Sequence, residues 1–185
     1  TGLDAFAHCV EAFSNPDCHP MSQGIALEGM RLIITYLPRA YNNSEDLEAR
    51  SQMMSTAMMG ATACQKGLGA IHALSHPVGA VFNVHHGTTN AVCMPAVLKL
   101  NAPKIRDQFD LAASYIGVQG GFDGFCAFVQ DFNDSLGIPR RLGEMGVTTD
   151  RMEDLVAMAL QDPSCGGNPV VLTAENVRAL FKDCI

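Results

Sequence analysis

The chain has 185 residues, of which 48% are hydrophobic and 17% are charged, and its formal net charge at pH 7 is -7. A chain of this length folds as one domain that buries roughly 70% of the surface exposed by the unfolded chain. Its composition excludes intrinsic disorder. The 12 basic residues are scattered among 19 acidic ones, which argues against a nucleic-acid surface.

The number of cysteines and the lengths of the apolar runs indicate the cellular compartment. Seven cysteines, an odd number without a CxxC pair, indicate reduced thiols in the cytoplasm rather than a disulfide framework. No apolar run reaches the roughly 18 residues needed to span a membrane, and no signal peptide is recognisable. We therefore expect a cytoplasmic protein with no membrane or nucleic-acid partner. Because the chain begins at Thr1 rather than Met, we expect it to be a piece of a longer chain.

The first third of the sequence predicts three helices. The first runs from Leu3 to Phe13 and is capped by Thr1. The second begins at Pro20 and ends before Pro38. The third, Glu45 to Lys66, contains MMSTAMMGATAC, which is apolar on nearly all sides, so this helix is predicted to be central.

The rest of the sequence continues in the same way, without a convincing β-strand. A glycine-rich phosphate loop must follow a strand, so no dinucleotide-binding fold is predicted within these residues. Beyond a histidine-rich segment, the predicted helices are Thr88–Leu100 with a kink or end at Pro95, Pro103–Ile116, Phe122–Leu136, Thr149–Leu160 and Thr173–Cys184, the last two with threonine caps.

The histidine-rich segment is Gly69–Asn90, which holds four of the six histidines. His72 and His76 are four residues apart, so they project from the same face of a helix. The chain should leave that helix at residues 82–84 and begin another at Gly87, after His85 and His86. This segment is the first half of a predicted metal site.

The second half of the predicted site lies on the first helix, where Asp4 and His8 have the same spacing. Several imidazoles with one carboxylate suit Fe, Zn, Ni or Mn rather than Ca or Mg. The segment HALSH lacks the glutamate of HExxH, which argues against a zinc protease. His19, before Pro20, is expected to cap a helix.

Two stretches carry a family resemblance. TGLDAFAHCVEAF and GLGAIHALSHPVGAVFNVHHGTTNAVCMPAVLKLN resemble the two signatures of the iron-dependent (group III) alcohol dehydrogenases, and the likeness extends to DPSCGGNP and the final helix. The resemblance implies an all-α, bundle-like domain of about eight or nine helices, a dehydroquinate synthase-like C-terminal domain. Residues 1–185 would form this single metal-binding catalytic domain, and the Rossmann-like N-terminal domain that binds NAD(P) would be absent.

Carried over by position, the resemblance implies that Asp4, His8, His72 and His86 are the metal ligands. We expect Fe(2+), with Zn(2+) as the alternative. His76 matches a family histidine that lies near the substrate and nicotinamide, and we expect it to relay a proton. The resemblance assigns no NAD(P)-binding residue to this chain.

Other positions receive structural roles. His85 is expected either to contact a ligand residue or to be structural, and Cys9 is expected in the core. Asn168 and Pro169 fit a family loop and are expected to be structural. Val170 departs from the basic residue that the family often has there.

The resemblance implies a metal-dependent alcohol dehydrogenase that interconverts a small-molecule alcohol and an aldehyde or ketone, with homo-oligomers as one possible assembly. This chain would supply the metal and substrate half and would be inactive alone. One alternative is a helical metal-binding module that is not catalytic. Another is a metal-dependent hydrolase or lyase, for which only Glu11 and Asp17 offer a nearby general base.

Overall fold

The computed structural model describes all residues, 1–185, and contains eight α-helices and no β-strand. This confirms the predicted all-α class and the number of helices. Four short 3-10 turns occur at Cys64–Lys66, Leu142–Met145, Thr149–Arg151 and Pro163–Gly167. The helices are α1 Gly2–Ser14, α2 Pro20–Asn42, α3 Leu47–Ala63, α4 Ala70–Phe82, α5 His86–Ile116, α6 Gly121–Ser135, α7 Met152–Gln161 and α8 Ala174–Cys184.

Helix α1 is the centre of the fold. Its small and aromatic residues are mostly buried, and it packs against α2, α3, α4 and α5. The Phe6 ring lies 6.0 Å from that of Phe132, and the Phe13 ring lies 5.4 Å from that of Phe109. Thr1 occupies the N-cap but makes no side-chain capping bond, so that detail of the prediction is wrong.

Helix α2 begins at Pro20 as predicted but continues through Pro38 to Asn42, so the predicted end is wrong. Proline fixes φ at a value that a helix accepts and removes one backbone donor, which a long helix can tolerate. The turn beyond it is held by Arg39, whose guanidinium pairs with Asp46 at 3.0 and 3.2 Å. His19 caps α2 as predicted, accepting a 3.1 Å hydrogen bond from the Ser22 amide.

The prediction that the methionine-rich helix is central is wrong, because α3 is peripheral. Met54 and Met58 are each 73% exposed. Close packing on α1 excludes large side chains, since a Cβ on Gly60 would lie 3.1 Å from both Ala5 O and His8 Cβ. Met54 and Met58 therefore face outward, Met53 and Met59 are half-buried, and the buried stripe consists of Ala49, Thr56, Gly60 and Ala63.

Helix α5 joins what the sequence predicted as two helices, since Pro95 and Pro103 both lie inside it. Each proline costs a backbone hydrogen bond. Burial of the helix against α1, α4, α6 and α8 offsets that cost. The predicted break before α5 is confirmed: α4 ends at Phe82, its C-cap Asn83 has the left-handed φ of 52°, and His85 caps α5.

The C-terminal third covers α4 and α5. Helix α7 packs on α4, and α8 packs on α7 and α5. Thr173 caps α8 as predicted, but α7 begins only at Met152, after a 3-10 turn that starts at Thr149. The stretch predicted as loop forms the Pro163–Gly167 turn, which brings residue 168 against the start of α4.

None of the helices combines the length and the apolar character required to cross a membrane. All seven cysteines are unpaired. Cys9 is fully buried in the core, as predicted.

Candidate metal centre

The four residues predicted as ligands come together from α1, α4 and α5. The Nε2 atoms of His8, His72 and His86 lie 3.9, 3.5 and 3.2 Å from Oδ1 of Asp4. Donor atoms of Asp4, His8 and His72 all lie within 4.8 Å of one another. We call these four residues the Asp–His cluster.

The cluster is buried on one side and open on the other. The His72 side chain is 1% exposed, whereas that of His86 is 41% exposed. The His8 and His72 rings are stacked with centroids 4.8 Å apart, and the His86 ring is 5.3 Å from His72. A small molecule could therefore approach from the His86 side without moving a helix.

Glu11 fixes the innermost histidine. Its carboxylate is 4% exposed, and Oε1 accepts hydrogen bonds from the backbone amides of Ile71 at 2.7 Å and His72 at 3.2 Å. Oε2 lies 2.5 Å from Nδ1 of His72. Because Nδ1–H donates to a carboxylate, the Nε2 lone pair is directed toward the cluster.

From the sequence, Glu11 was considered only as a general base, and its contact with His72 was missed. The available signal was a glutamate three residues after His8 in an otherwise apolar helix. A buried carboxylate needs a partner. Which partner it finds depends on a helix 60 positions further along the chain.

Asn168 supports the same end of α4. Its Oδ1 accepts hydrogen bonds from the Ala70 amide at 3.1 Å and from the Asn101 side chain at 2.9 Å. The structural role expected for Asn168 is therefore confirmed, although the helix that it supports is α4. Together with Glu11, it satisfies the free amides of the first turn of α4.

Asn90, four residues after His86 and fully buried, is a second residue that the sequence analysis missed. Its Nδ2 donates to Asp4 Oδ1 at 2.8 Å and lies 3.3 Å from His72 Nε2 and 3.2 Å from His86 Nε2. Its Oδ1 is buried without a hydrogen-bond partner. When His72 and His86 both carry the lone pair on Nε2, this one amide group faces three acceptors, so the site gathers more lone pairs than the protein itself satisfies. A cation would suit this arrangement.

His76 and His85 lie beside the cluster. The His76 ring is 42% exposed and stacks on the His86 ring with centroids 5.4 Å apart, and its Nδ1 lies 2.7 Å from Oδ2 of Asp162. His85 accepts a hydrogen bond from the Thr88 amide at 3.2 Å as the α5 cap.

The electrostatics of the cluster favour a charged Asp4, neutral His8 and His86, and a protonated His72. Burial opposes ionisation of Asp4, but the hydrogen bond with His72 and the nearby imidazoles lower the pKa of Asp4 to about 2. Burial also lowers the pKa of His8 and of His86. Burial would do the same to His72, but hydrogen bonds with Asp4 and Glu11 raise the pKa of His72 to about 9. A cation would displace that proton.

The fold and the cluster together define a class, an all-helical domain built around an Asp–His centre. The chain belongs to the Fe-containing alcohol dehydrogenase family, since the model of that family's C-terminal part matches residues 1–185. The family resemblance drawn from the sequence is thus confirmed.

Individual relatives agree with this assignment. The chain is 40% identical to 4-hydroxybutyrate dehydrogenase of Cupriavidus necator, with 98% of this chain and 50% of that protein covered. It is 34% identical to NAD-dependent methanol dehydrogenase of Bacillus methanolicus, with 100% of this chain and 51% of that protein covered. The solved structure of a 1,3-propanediol oxidoreductase matches with a TM-score of 0.95 at 28% identity, covering 100% of this chain and 50% of that one. The chain spans about half the length of these relatives.

Proposed function

We propose that this chain is the metal- and substrate-binding half of an NAD(P)-dependent alcohol dehydrogenase. The observation that carries the proposal is the convergence of Asp4, His8, His72 and His86 on one open-sided point in a member of this family. The relatives are named for methanol, 4-hydroxybutyrate and 1,3-propanediol. We extend this to a small-molecule alcohol and its aldehyde or ketone.

The Asp–His cluster would hold one divalent transition metal, Fe(2+) by preference and Zn(2+) as the alternative. Three imidazoles and a carboxylate match these ions, and Asn90 faces a surplus of acceptors that a cation would satisfy. When bound, the ion would act as a Lewis acid on the substrate oxygen.

The protein's own residues would position the ligands and move the proton. Glu11 holds His72 with Nε2 free for the cluster. His76 is our proposed proton carrier: its Nε2 takes the hydroxyl proton as the alcohol is oxidised and returns it when a carbonyl is reduced. Because the His76 ring is exposed, it can exchange that proton with water.

The nicotinamide cofactor, which in this family supplies the hydride acceptor or donor, needs a phosphate-binding site that these 185 residues do not provide in the usual form. The chain has no strand and hence no phosphate loop between a strand and a helix. We assign no residue here to NAD(P), and we propose that it binds through a second domain of a longer protein.

Elemental analysis of the purified chain tests the metal centre. We expect about one transition-metal ion per chain. The double variant Asp4→Ala, His86→Ala should contain none. His19→Ala removes a capping histidine of α2 that lies outside the cluster and should keep the ion, so it is the matched control. Equal metal content in the double variant and the control would refute the proposed ligands.

A second experiment tests the proton carrier in the longer enzyme. His76→Ala should keep the metal and lower turnover by about 100-fold or more, as expected when a general base is removed. The His76 side chain lies outside the four ligands, so metal content separates the two roles. Unchanged turnover, or loss of the metal, would reject His76 as the proton carrier.

The geometry argues against the hydrolase alternative. A water-activating base needs a free carboxylate oxygen, yet both oxygens of Glu11 accept hydrogen bonds from α4 and the side chain is buried. The other acidic residue considered, Asp17, is exposed beyond the end of α1.

A further inference from the structure

Asp162 contacts His76 from the far end of the sequence, 86 positions away. It lies between α7 and the Pro163–Gly167 turn, and its side chain is only 11% exposed, whereas that of His76 is 42% exposed. A buried carboxylate thus lies behind an exposed imidazole. In the sequence, this residue was part of a stretch predicted as loop.

Each oxygen of Asp162 has its own donor. Oδ1 accepts a hydrogen bond from the Ser164 amide at 2.8 Å, which caps the 3-10 turn, and Oδ2 faces His76 Nδ1 at 2.7 Å. Burial would raise the pKa of Asp162, but the hydrogen bonds from Ser164 and His76 lower it below the ordinary value. The group is therefore an anion at neutral pH and can act only as an acceptor.

An acceptor at Nδ1 selects one tautomer of a neutral imidazole. Nδ1 must carry the hydrogen, so Nε2 carries the lone pair. Nε2 lies on the side of the ring away from Asp162, and that ring stacks on His86 of the Asp–His cluster. The carboxylate thus prepares the nitrogen that our mechanism requires to accept a proton.

We propose that Asp162 is a positioning residue for His76, which fixes the ring and its tautomer so that Nε2 accepts the proton of the substrate hydroxyl. This inference rests on the proposed function of His76. In the oxidation, the O–H proton would go to Nε2 of His76, and the nicotinamide, when bound, would accept the hydride of the carbinol carbon, which leaves the carbonyl. Asp162 stays ionised and stabilises the imidazolium that results.

Asp162→Asn is the informative variant because it changes one atom. An amide has one acceptor oxygen, so it cannot accept from both Ser164 and His76. If its oxygen keeps the Ser164 cap, its NH2 group donates to Nδ1 of His76 and the hydrogen moves to Nε2. Asp123→Asn, which removes an exposed carboxylate paired with Arg106, is the matched control.

The first readout is the tautomer of His76 in the 185-residue chain, measured by long-range 1H–15N correlation spectra at a pH where the ring is neutral. The unsubstituted chain and the control should carry the hydrogen on Nδ1, and Asp162→Asn should carry it on Nε2. This measurement does not depend on catalysis. A hydrogen on Nε2 in the unsubstituted chain, or an unchanged tautomer in Asp162→Asn, would overturn the proposal.

The second readout is turnover in the longer enzyme. Asp162→Asn should lower kcat by about 10- to 100-fold with little change in KM or metal content. In a His76→Ala background the same substitution should have no further effect. A merely structural role would instead lower kcat by the same factor in both backgrounds, which would overturn the inference.

The two proposals fail separately. If His76→Ala leaves turnover unchanged, the proton-carrier role of His76 is wrong and Asp162 loses its catalytic purpose with it. If His76→Ala slows turnover and Asp162→Asn does not, only the positioning role of Asp162 is wrong. The tautomer readout stands even if Asp162→Asn lowers thermal stability, because it is recorded on the folded chain.

Discussion

Replacing Glu11 by glutamine should weaken metal binding although Glu11 is not itself a proposed ligand. The carboxylate accepts three hydrogen bonds, two from backbone amides of Ile71 and His72 and one from the His72 ring. Glutamine has nearly the same shape but only one acceptor oxygen. In either orientation of the amide, an NH2 group faces a donor.

The magnitude follows from those contacts. If the glutamine oxygen stays with the backbone amides, its NH2 group donates to His72 Nδ1 and the ring hydrogen moves to Nε2, which faces Asp4. Changing the hydrogen-bond partner of a metal-binding histidine should lower the metal affinity by about 10- to 100-fold. This equals about 1.4–2.7 kcal/mol of binding free energy.

The metal-free chain should lose about 1.5–3 kcal/mol of stability, because a hydrogen bond to a charged group is replaced. Alanine is a poorer choice, since it would leave three buried donors without partners at about 1–3 kcal/mol each. That loss approaches the whole stability of a typical domain, about 5–15 kcal/mol. Glutamine therefore separates weakened binding from unfolding.

The assay is competition for Zn(2+) against a chromophoric chelator, with urea unfolding of the metal-free chain as the companion measurement. Glu28→Gln, which removes a partly exposed carboxylate paired with Arg31, is the control and should bind zinc normally. Zinc affinity in Glu11→Gln within about twofold of the unsubstituted chain would show that the tautomer of His72 does not depend on Glu11.

Two further predictions concern packing and pH. Met30→Ala should lower the free energy of unfolding by about 2–5 kcal/mol because Met30 is fully buried. Met58→Ala should change it by no more than about 0.5 kcal/mol because that side chain is 73% exposed. Urea unfolding measures both variants, and equal losses would contradict the peripheral position of α3. Hydrogen bonds from the Ala49 amide and Arg39 lower the pKa of Asp46, so its stabilisation is present above the ordinary aspartate pKa and disappears as pH falls through the lowered value. Between about pH 5 and pH 3 the unsubstituted chain should lose more stability than Asp46→Asn, and parallel losses would show that Asp46 does not contribute.

Local patterns predicted much of this molecule. The helical class, the break between α4 and α5 and the cap at His19 all depend on residues close together in the sequence. The ligand set depended on two short pairs and on family resemblance. The two residues of each pair are four positions apart, so they share a helix face. That placement follows from the sequence without knowledge of the tertiary structure.

Features that depend on distant residues escaped prediction. Proline is a strong local signal for a helix end, yet Pro38, Pro95 and Pro103 all lie inside helices because tertiary contacts outweigh one lost hydrogen bond. The composition of α3 also predicted its burial wrongly. Gly60 faces α1 while Met54 and Met58 face outward, and only the packing partner decides which side is covered.

The same limit applies to the residues that support the site. Glu11 contacts a histidine 61 positions away, and Asp162 contacts one 86 positions away. Neither contact has a short-range signature, since a carboxylate in a helix or turn is usually solvated. Spacing and resemblance were enough to predict the ligands, but the hydrogen bonds that orient His72 and His76 required the fold.

Thermal unfolding with and without metal provides the last prediction, because the proposed ligands converge only in the folded chain. A ligand that binds the native state alone stabilises it by about 2.7 kcal/mol at a free concentration of 100 times Kd. For a domain of this size each kcal/mol raises Tm by about 2–4 °C, so Zn(2+) should raise Tm by about 5–11 °C.

Asp4→Asn should abolish that increase, since it removes the one anion to which all three imidazoles are close. Adventitious binding at an exposed histidine such as His19 would behave differently. That residue is equally accessible in the unfolded chain, so binding there stabilises neither state over the other and leaves Tm unchanged. The same increase in Asp4→Asn, or none in the unsubstituted chain, would therefore place the ion outside the Asp–His cluster.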